Sequence, residues 1–183
     1  TDKLFSRTIF QFIPAWVTPN SITWFRFITI PFVAYLFFTE QYLFGLILFF
    51  FSSFSDAIDG SLARTRGQIT EWGMKYDPLA DKFLIGTAAF ILVSRFLSPY
   101  LAATIIGIEF FIVASAYYRK RSQGIPIQAE FSGKVKMALQ SFGIGALLVA
   151  VTFQLPSFVA IAAYLLYLAI IFAIISLVVY KSI

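Results

Sequence analysis

The chain has 183 residues, 60% hydrophobic and 19% aromatic, with a mean hydropathy of +0.84 and a net charge of +5. That composition excludes an ordinary soluble globular protein and points to a polytopic helical membrane protein. No cysteine or histidine is present, which removes disulfides, thiolate or imidazole metal sites and imidazole acid–base chemistry from consideration. The apolar runs are longer and more continuous than the alternating segments of about ten residues found in membrane β-barrels.

In chain order, Thr1 to Pro14 is too short and too mixed to span a bilayer. Leu4, Phe5, Ile9, Phe10 and Phe12 set against Asp2, Lys3, Arg7 and Gln11 predict an interfacial amphipathic helix. A signal peptide is the competing reading, but no small-residue cleavage site follows. The lack of an initiator Met suggests trimming, or excision from a longer chain.

Six spans of about 20 residues follow. They run over Ser21 to Phe38, Tyr42 to Ala63, Glu71 or Asp77 to Arg95, Pro99 to Tyr118, Gly133 to Phe153 and Ser157 to Tyr180. Pro78 either kinks the third span or occupies the first position of a helix capped by Asp77. The expected fold is therefore all-α, one membrane domain over residues 1–183 with a six-helix bundle over 20–181. The loops near residues 40, 97 and 155 carry only Arg95. Opposite them lie Lys3, Arg7, Arg64, Arg66, Lys75, Arg119, Lys120, Arg121, Lys134, Lys136 and Lys181. The positive-inside rule then places both termini in the cytoplasm.

The polar stretch Ser55 to Phe83 stands apart from this background, with Asp56, Asp59, Asp77 and Asp81 inside it. A charge at the bilayer centre costs roughly 2.5–3.5 kcal/mol on insertion scales, so intramembrane carboxylates mark function by default. Asp56, Asp59, Gly60 and Ala63 share one helical face, as do Gly73, Asp77 and Asp81. The polar segment Thr65 to Trp72 is long enough to turn the chain, so the two acidic faces can meet in a hairpin. Carboxylates alone select hard cations, Mg2+, Mn2+ or Ca2+. Two such ions about 4 Å apart suit phosphate chemistry, and a nearby carboxylate can take a hydroxyl proton.

The residues read Asp56-x2-Asp59-Gly60-x2-Ala63-Arg64-x8-Gly73-x3-Asp77-x3-Asp81. This pattern resembles the signature of the CDP-alcohol phosphotransferases, integral membrane enzymes of phospholipid synthesis. The resemblance implies a CDP-linked donor, usually CDP-diacylglycerol, and a small alcohol acceptor whose hydroxyl displaces CMP. It implies that Asp56, Asp59 and Asp77 hold two Mg2+ or Mn2+ ions, with Asp81 touching one of them and acting as general base. Gly60 and Ala63 would let the cytidine nucleotide approach the backbone, and Arg64 would neutralise donor phosphate. Thr70, and Asn20 and Thr23 of the Pro19-Asn20-x2-Thr23 segment, match donor-contacting positions more loosely. Family members are commonly homodimers in the cytoplasmic membrane, and no nucleic-acid partner is expected.

The acceptor is less defined. Gly133-Lys134-Val135-Lys136 resembles an element of phosphatidylglycerophosphate synthases, and two lysines at a helix start oppose the dipole unless an anion sits there. Glycerol 3-phosphate is the expected acceptor and inositol phosphate the alternative. Arg119, Lys120 and Arg121 are either an acceptor-phosphate site or a cytoplasmic flank. Those relatives carry arginines where this chain has Ile108 and Ala116, with Arg119 one turn further on. Glu109 lies mid-membrane and must find a partner, structural rather than catalytic. Trp16, Trp24 and Trp72 read as interfacial belt residues. A divalent-cation transporter and an inactive membrane scaffold are the readings from other classes. The first is opposed by Arg64 beside the aspartates, the second by the presence of all four.

Overall fold

The computed structural model describes residues 18–66, 70–123 and 131–179, with side chains except at 56, 57, 59–61, 63–66, 74, 75, 116–123, 131, 178 and 179. The segment expected to form the N-terminal interfacial helix, Thr1 to Pro14, lies outside the described residues. All regular structure among the described residues is helical: α1 (Pro19–Phe38), α2 (Tyr42–Arg66), α3 (Glu71–Ala88), α4 (Pro99–Gln123), α5 (Phe131–Phe153) and α6 (Pro156–Val179). A π-helical stretch (Ala89–Val93) and a last turn (Ser94–Phe96) extend α3. Each helix matches one of the six expected spans to within a few residues.

Three helical stretches among the described residues are long and apolar enough to cross a membrane: Pro19–Phe38, Ser132–Phe153 and Pro156–Leu177. The apolar parts of α2 and α4, Tyr42–Ser55 and Pro99–Ser115, are shorter. The chain forms two compact units, Thr1–Leu84 and Ile85–Ile183.

In the first unit, local chemistry sets where the helices begin. Thr18 has extended backbone angles and its hydroxyl accepts the Ser21 amide, while Pro19 supplies a preset φ at the first helical position. Thr70 does the same for α3, its Oγ1 accepting the Gly73 amide at 3.0 Å. This cap starts α3 at Glu71, so Pro78 lies inside the helix and not at its head. The turn between α1 and α2 closes through Glu40, whose φ of 61° is left-handed, with the Gln41 amide reaching back to the Leu36 carbonyl.

The buried face of α1 carries Pro19, Thr23, Arg26, Thr29, Val33 and Phe37, while Trp24, Phe25, Ile28, Phe32 and Tyr35 are exposed. The helix thus points its polar side chains inward and its aromatic surface outward, as a lipid-facing helix does. Gly45 lets α2 lie against the C-terminal end of α1. A Cβ there would sit 2.5 Å from Cε1 of Phe37, which is itself fully buried.

In the second unit, Leu92, Ile105, Ile144, Leu147, Leu148 and Leu166 form the apolar centre. On α6 the buried positions Ala162, Leu166, Ala169 and Ala173 form one stripe. Mostly small, they allow the close backbone approach that replaces a hydrophobic drive between helices in lipid. Gln154 repeats the left-handed turn of Glu40, with φ 55°.

The Gly45 contact makes a direct prediction. Gly45→Ala overpacks a filled site and is expected to cost about 1–3 kcal/mol. Thermal unfolding in detergent should show a fall of several degrees, and an unchanged midpoint would contradict the contact.

Candidate active site

The polar faces of α1 and α3 meet as a ladder within the first unit. At the lowest rung, Thr70 Oγ1 donates to Asn20 Oδ1 at 2.8 Å. One turn along, Thr23 Oγ1 donates to Asp77 Oδ1 at 2.5 Å. At the third rung, Arg26 Nη1 meets Asp81 Oδ1 at 2.6 Å. Steps of three on α1 and of four between Asp77 and Asp81 are the spacings that keep side chains on one helical face.

Arg26 has no exposed surface, and the Asp81 side chain is 22% exposed. A buried guanidinium is tolerated only when paired and hydrogen-bonded, and Asp81 meets the first condition. Arg26 Nε also donates to Ser55 Oγ of α2 at 3.5 Å. A second line of hydroxyls continues from there, with Thr29 Oγ1 and Ser52 Oγ 2.9 Å apart. Trp24, Trp72 and Tyr76 stack beside the ladder, with ring centroids at 5.5 and 4.8 Å. The stack ties α1 to α3 again through surface that is partly apolar.

Gly73 lies against the lower rungs of the ladder, beside Asp77. A Cβ there would lie 3.2 Å from Thr70 Oγ1 and 3.3 Å from both Asn20 Oδ1 and Asp77 Oδ2. A side chain there would crowd its neighbours, and the three nearest atoms are all oxygens. No group of three or more acidic side chains gathers among the described residues, but the oxygen donors of Asp77 and Asp81 are of the kind that a hard divalent cation takes.

Of the sequence-predicted residues, Asn20, Thr23, Thr70, Asp77 and Asp81 come together here, with Gly73 among them. Asp56, Asp59, Gly60, Ala63 and Arg64 follow Ser55 along α2, and their side chains lie outside the described residues. Arg119 likewise lies in α4 with its side chain outside the description. Lys134 is exposed near the start of α5. Lys136, two residues on and so on a different face, is buried, its Nζ 2.5 Å from Glu109 Oε1. Glu109 thus has the structural partner its position requires. Sequence reading missed Arg26. The signal was available, since an arginine inside an apolar span, three residues after Thr23, meets the same test as the aspartates.

Thr70 serves both helix ends, so its loss has a definite effect. Thr70→Val removes the α3 cap and the Asn20 bond and should cost about 1–2 kcal/mol. At roughly 2–4 °C per kcal/mol for a chain of this size, the unfolding midpoint should drop by several degrees. Thr70→Ser should restore it.

The sequence is similar to known proteins. A model of the CDP-alcohol phosphatidyltransferase family matches residues 16–175. A Bacillus subtilis protein named CDP-diacylglycerol--glycerol-3-phosphate 3-phosphatidyltransferase is 35% identical over 136 residues, covering 74% of this chain and 70% of its own. A protein of the same name from Salmonella typhimurium is 34% identical over 140 residues, covering 71% and 75%. Another, from Rickettsia typhi, is 28% identical over 133 residues, with the same coverage. The family match extends over all six helices and includes the whole ladder, and the chain is a member of the CDP-alcohol phosphatidyltransferase family.

Proposed function

We propose that this phosphatidyltransferase moves the phosphatidyl group of CDP-diacylglycerol to glycerol 3-phosphate, forming phosphatidylglycerophosphate and releasing CMP. The observation that carries the reading is the convergence of Asp77 and Asp81 on the polar face of α1, within the family's own motif. The printed names of the relatives supply the two substrates.

The site residues divide the work. Asp56, Asp59, Asp77 and Asp81 would hold two Mg2+ or Mn2+ ions, which when bound supply charge neutralisation at the pyrophosphate and at the attacking oxygen. Asp81 accepts the proton of the acceptor hydroxyl as that oxygen bonds to the phosphorus bearing the lipid. The bond from that phosphorus to the CMP oxygen breaks, and CMP leaves with the electron pair. Asn20, Thr23 and Thr70 contact the donor, joined by Gly60, Ala63 and Arg64 of α2. Lys134, exposed at the start of α5, offers a cation to the acceptor phosphate, with Arg119 as a further candidate, while Lys136 is engaged by Glu109.

The reading also covers placement. All six helices cross the cytoplasmic membrane as one domain over residues 1–183. The site and both termini face the cytoplasm, where nucleotide and acceptor are dissolved, and the chain works as a homodimer. Inositol phosphate is the second acceptor to consider, because Ile108 and Ala116 stand where glycerophosphate-using relatives carry arginines.

The deciding measurement is CMP release from CDP-diacylglycerol in detergent, with glycerol 3-phosphate, inositol phosphate, inositol and serine in parallel. Release is expected with glycerol 3-phosphate, dependent on Mg2+ or Mn2+ and lost on chelation. Asp81→Asn should lower it about 100- to 10,000-fold, the range of a lost general base. Release only with another acceptor would reassign the substrate, and normal turnover in Asp81→Asn would end the assigned role.

Lys134 gives a second prediction. Losing one charge-assisted hydrogen bond costs about 1.5–3 kcal/mol, so Lys134→Ala should raise the acceptor KM at least tenfold and leave the donor KM unchanged. Equal changes in both constants would return Lys134 to the helix flank.

A further inference from the structure

The hydrogen bonds around Arg26 form a closed ring that can be assigned proton by proton. Thr29 Oγ1 donates to the Arg26 carbonyl at 2.8 Å, so its single proton is used. It must then accept from Ser52 Oγ, 2.9 Å away. Ser55 Oγ donates to the Ser52 carbonyl at 2.7 Å, and accepts from Arg26 Nε at 3.5 Å. The ring runs from the Arg26 backbone through α2 and back to the Arg26 side chain. Nε faces α2 and Nη1 faces Asp81 on α3. Two anchors on one planar guanidinium fix its plane, and with it the orientation of the carboxylate it holds.

Stability alone does not account for an arginine at this position. Replacing a buried ion pair with well-packed apolar side chains of the same volume is often neutral or stabilising. A fully buried guanidinium in an apolar helix therefore calls for another reason. Ser55 immediately precedes Asp56, so Arg26 touches both acidic helices, one residue before the motif on α2 and at its last aspartate on α3.

We propose that Arg26 is the positioning residue of the transferase site: it fixes the Asp81 carboxylate against α2 in the orientation that receives the acceptor proton. The inference rests on the reading of Asp81 as the base. Arg26 acts on the reaction through the Asp81 carboxylate that it holds. A lysine retains the charge but presents a point donor on a flexible stem, so it cannot hold Ser55 and Asp81 in one plane.

The test uses Arg26→Gln, Arg26→Lys, Asp81→Asn and the Arg26→Gln/Asp81→Asn double variant, each followed by CMP release and by thermal unfolding. Misplacing a reacting group by about 1 Å costs on the order of 100-fold. Arg26→Gln is expected to lose that much kcat with a donor KM within about threefold of the parent, and Arg26→Lys to recover about tenfold of the loss. In unfolding, Asp81→Asn leaves a guanidinium without its carboxylate, so the double variant should melt above Asp81→Asn alone. Additive midpoints would show that the pair is not coupled and would overturn the proposal.

The remaining outcomes separate the two readings. If Asp81→Asn is inactive while Arg26→Gln keeps kcat within about threefold of the parent, a change too small for a misplaced base, positioning fails and the base stands. If Asp81→Asn turns over normally, the base reading falls and the inference falls with it. If Arg26→Gln and Arg26→Lys lose activity equally, with a proportional rise in donor KM, the arginine is structural and the proposal is wrong. Should Arg26→Gln fail to fold, Arg26→Lys decides, an intact kcat overturning positioning and a tenfold loss supporting it.

Discussion

The structure of the first unit depends on one constraint, that a charge inside an apolar helix must be met by a partner from another helix. Arg26 has no exposed surface, and neither water nor lipid can satisfy its guanidinium there. Its ion pair with Asp81 therefore fixes the register of α1 against α3. A shift of one residue would move Thr23 off Asp77 and Asn20 off Thr70 together, because the three rungs share one face of each helix. Apolar contacts alone would tolerate such sliding, since one aromatic side chain packs against lipid much like another. The polar ladder thus supplies specificity where the hydrophobic effect supplies none.

The second unit obeys the same rule with a different pair. Lys136 and Glu109 are both buried and paired across α4 and α5. Ser132 and Gln140 lie one turn to either side of Lys136, on the same buried face. Glu109 Oε2, Ser132 Oγ and Gln140 Oε1 are buried without a hydrogen-bond partner. Such groups are expensive in an apolar medium. In the first unit hydroxyls of Thr23, Thr29, Ser52, Ser55 and Thr70 carry much of the polar pairing. Hydroxyls are short and fix backbone separation closely. That suits a site in which distances between carboxylates matter.

Much of this was legible in the sequence, and the reasons are physical. Span ends follow from Pro19, Pro99 and Pro156, which cannot continue a helix but readily start one. The aspartates stood out because ionisable groups are so costly in such a background. Arg26 was hidden by averaging, since an 18-residue apolar window absorbs one charge without losing its character. The pairing of Thr23 with Asp77, 54 positions apart, was beyond reach because helix register is a tertiary property. Thr70 was matched to donor contact by resemblance, while its capping of α3 depends on where Pro78 falls. Glu40 and Gln154 were equally hidden, because left-handed turns favour glycine or asparagine and neither residue announces one.

The division of labour among the helices follows from the same energetics. Of the three stretches that are long and apolar enough to cross a membrane, only Pro19–Phe38 contributes to the ladder. It does so while presenting Trp24, Phe25, Ile28 and Phe32 outward, so its polar face is hidden from lipid by its own opposite face. Helix α3 carries Lys75, Asp77, Asp81 and Lys82 within two turns, and no apolar window of spanning length passes through them. Such a helix can be stable in a membrane only beside one that supplies matching polar groups, which α1 does. The acidic motif and the polar face of α1 are therefore two halves of one feature, and neither is tolerable in lipid without the other.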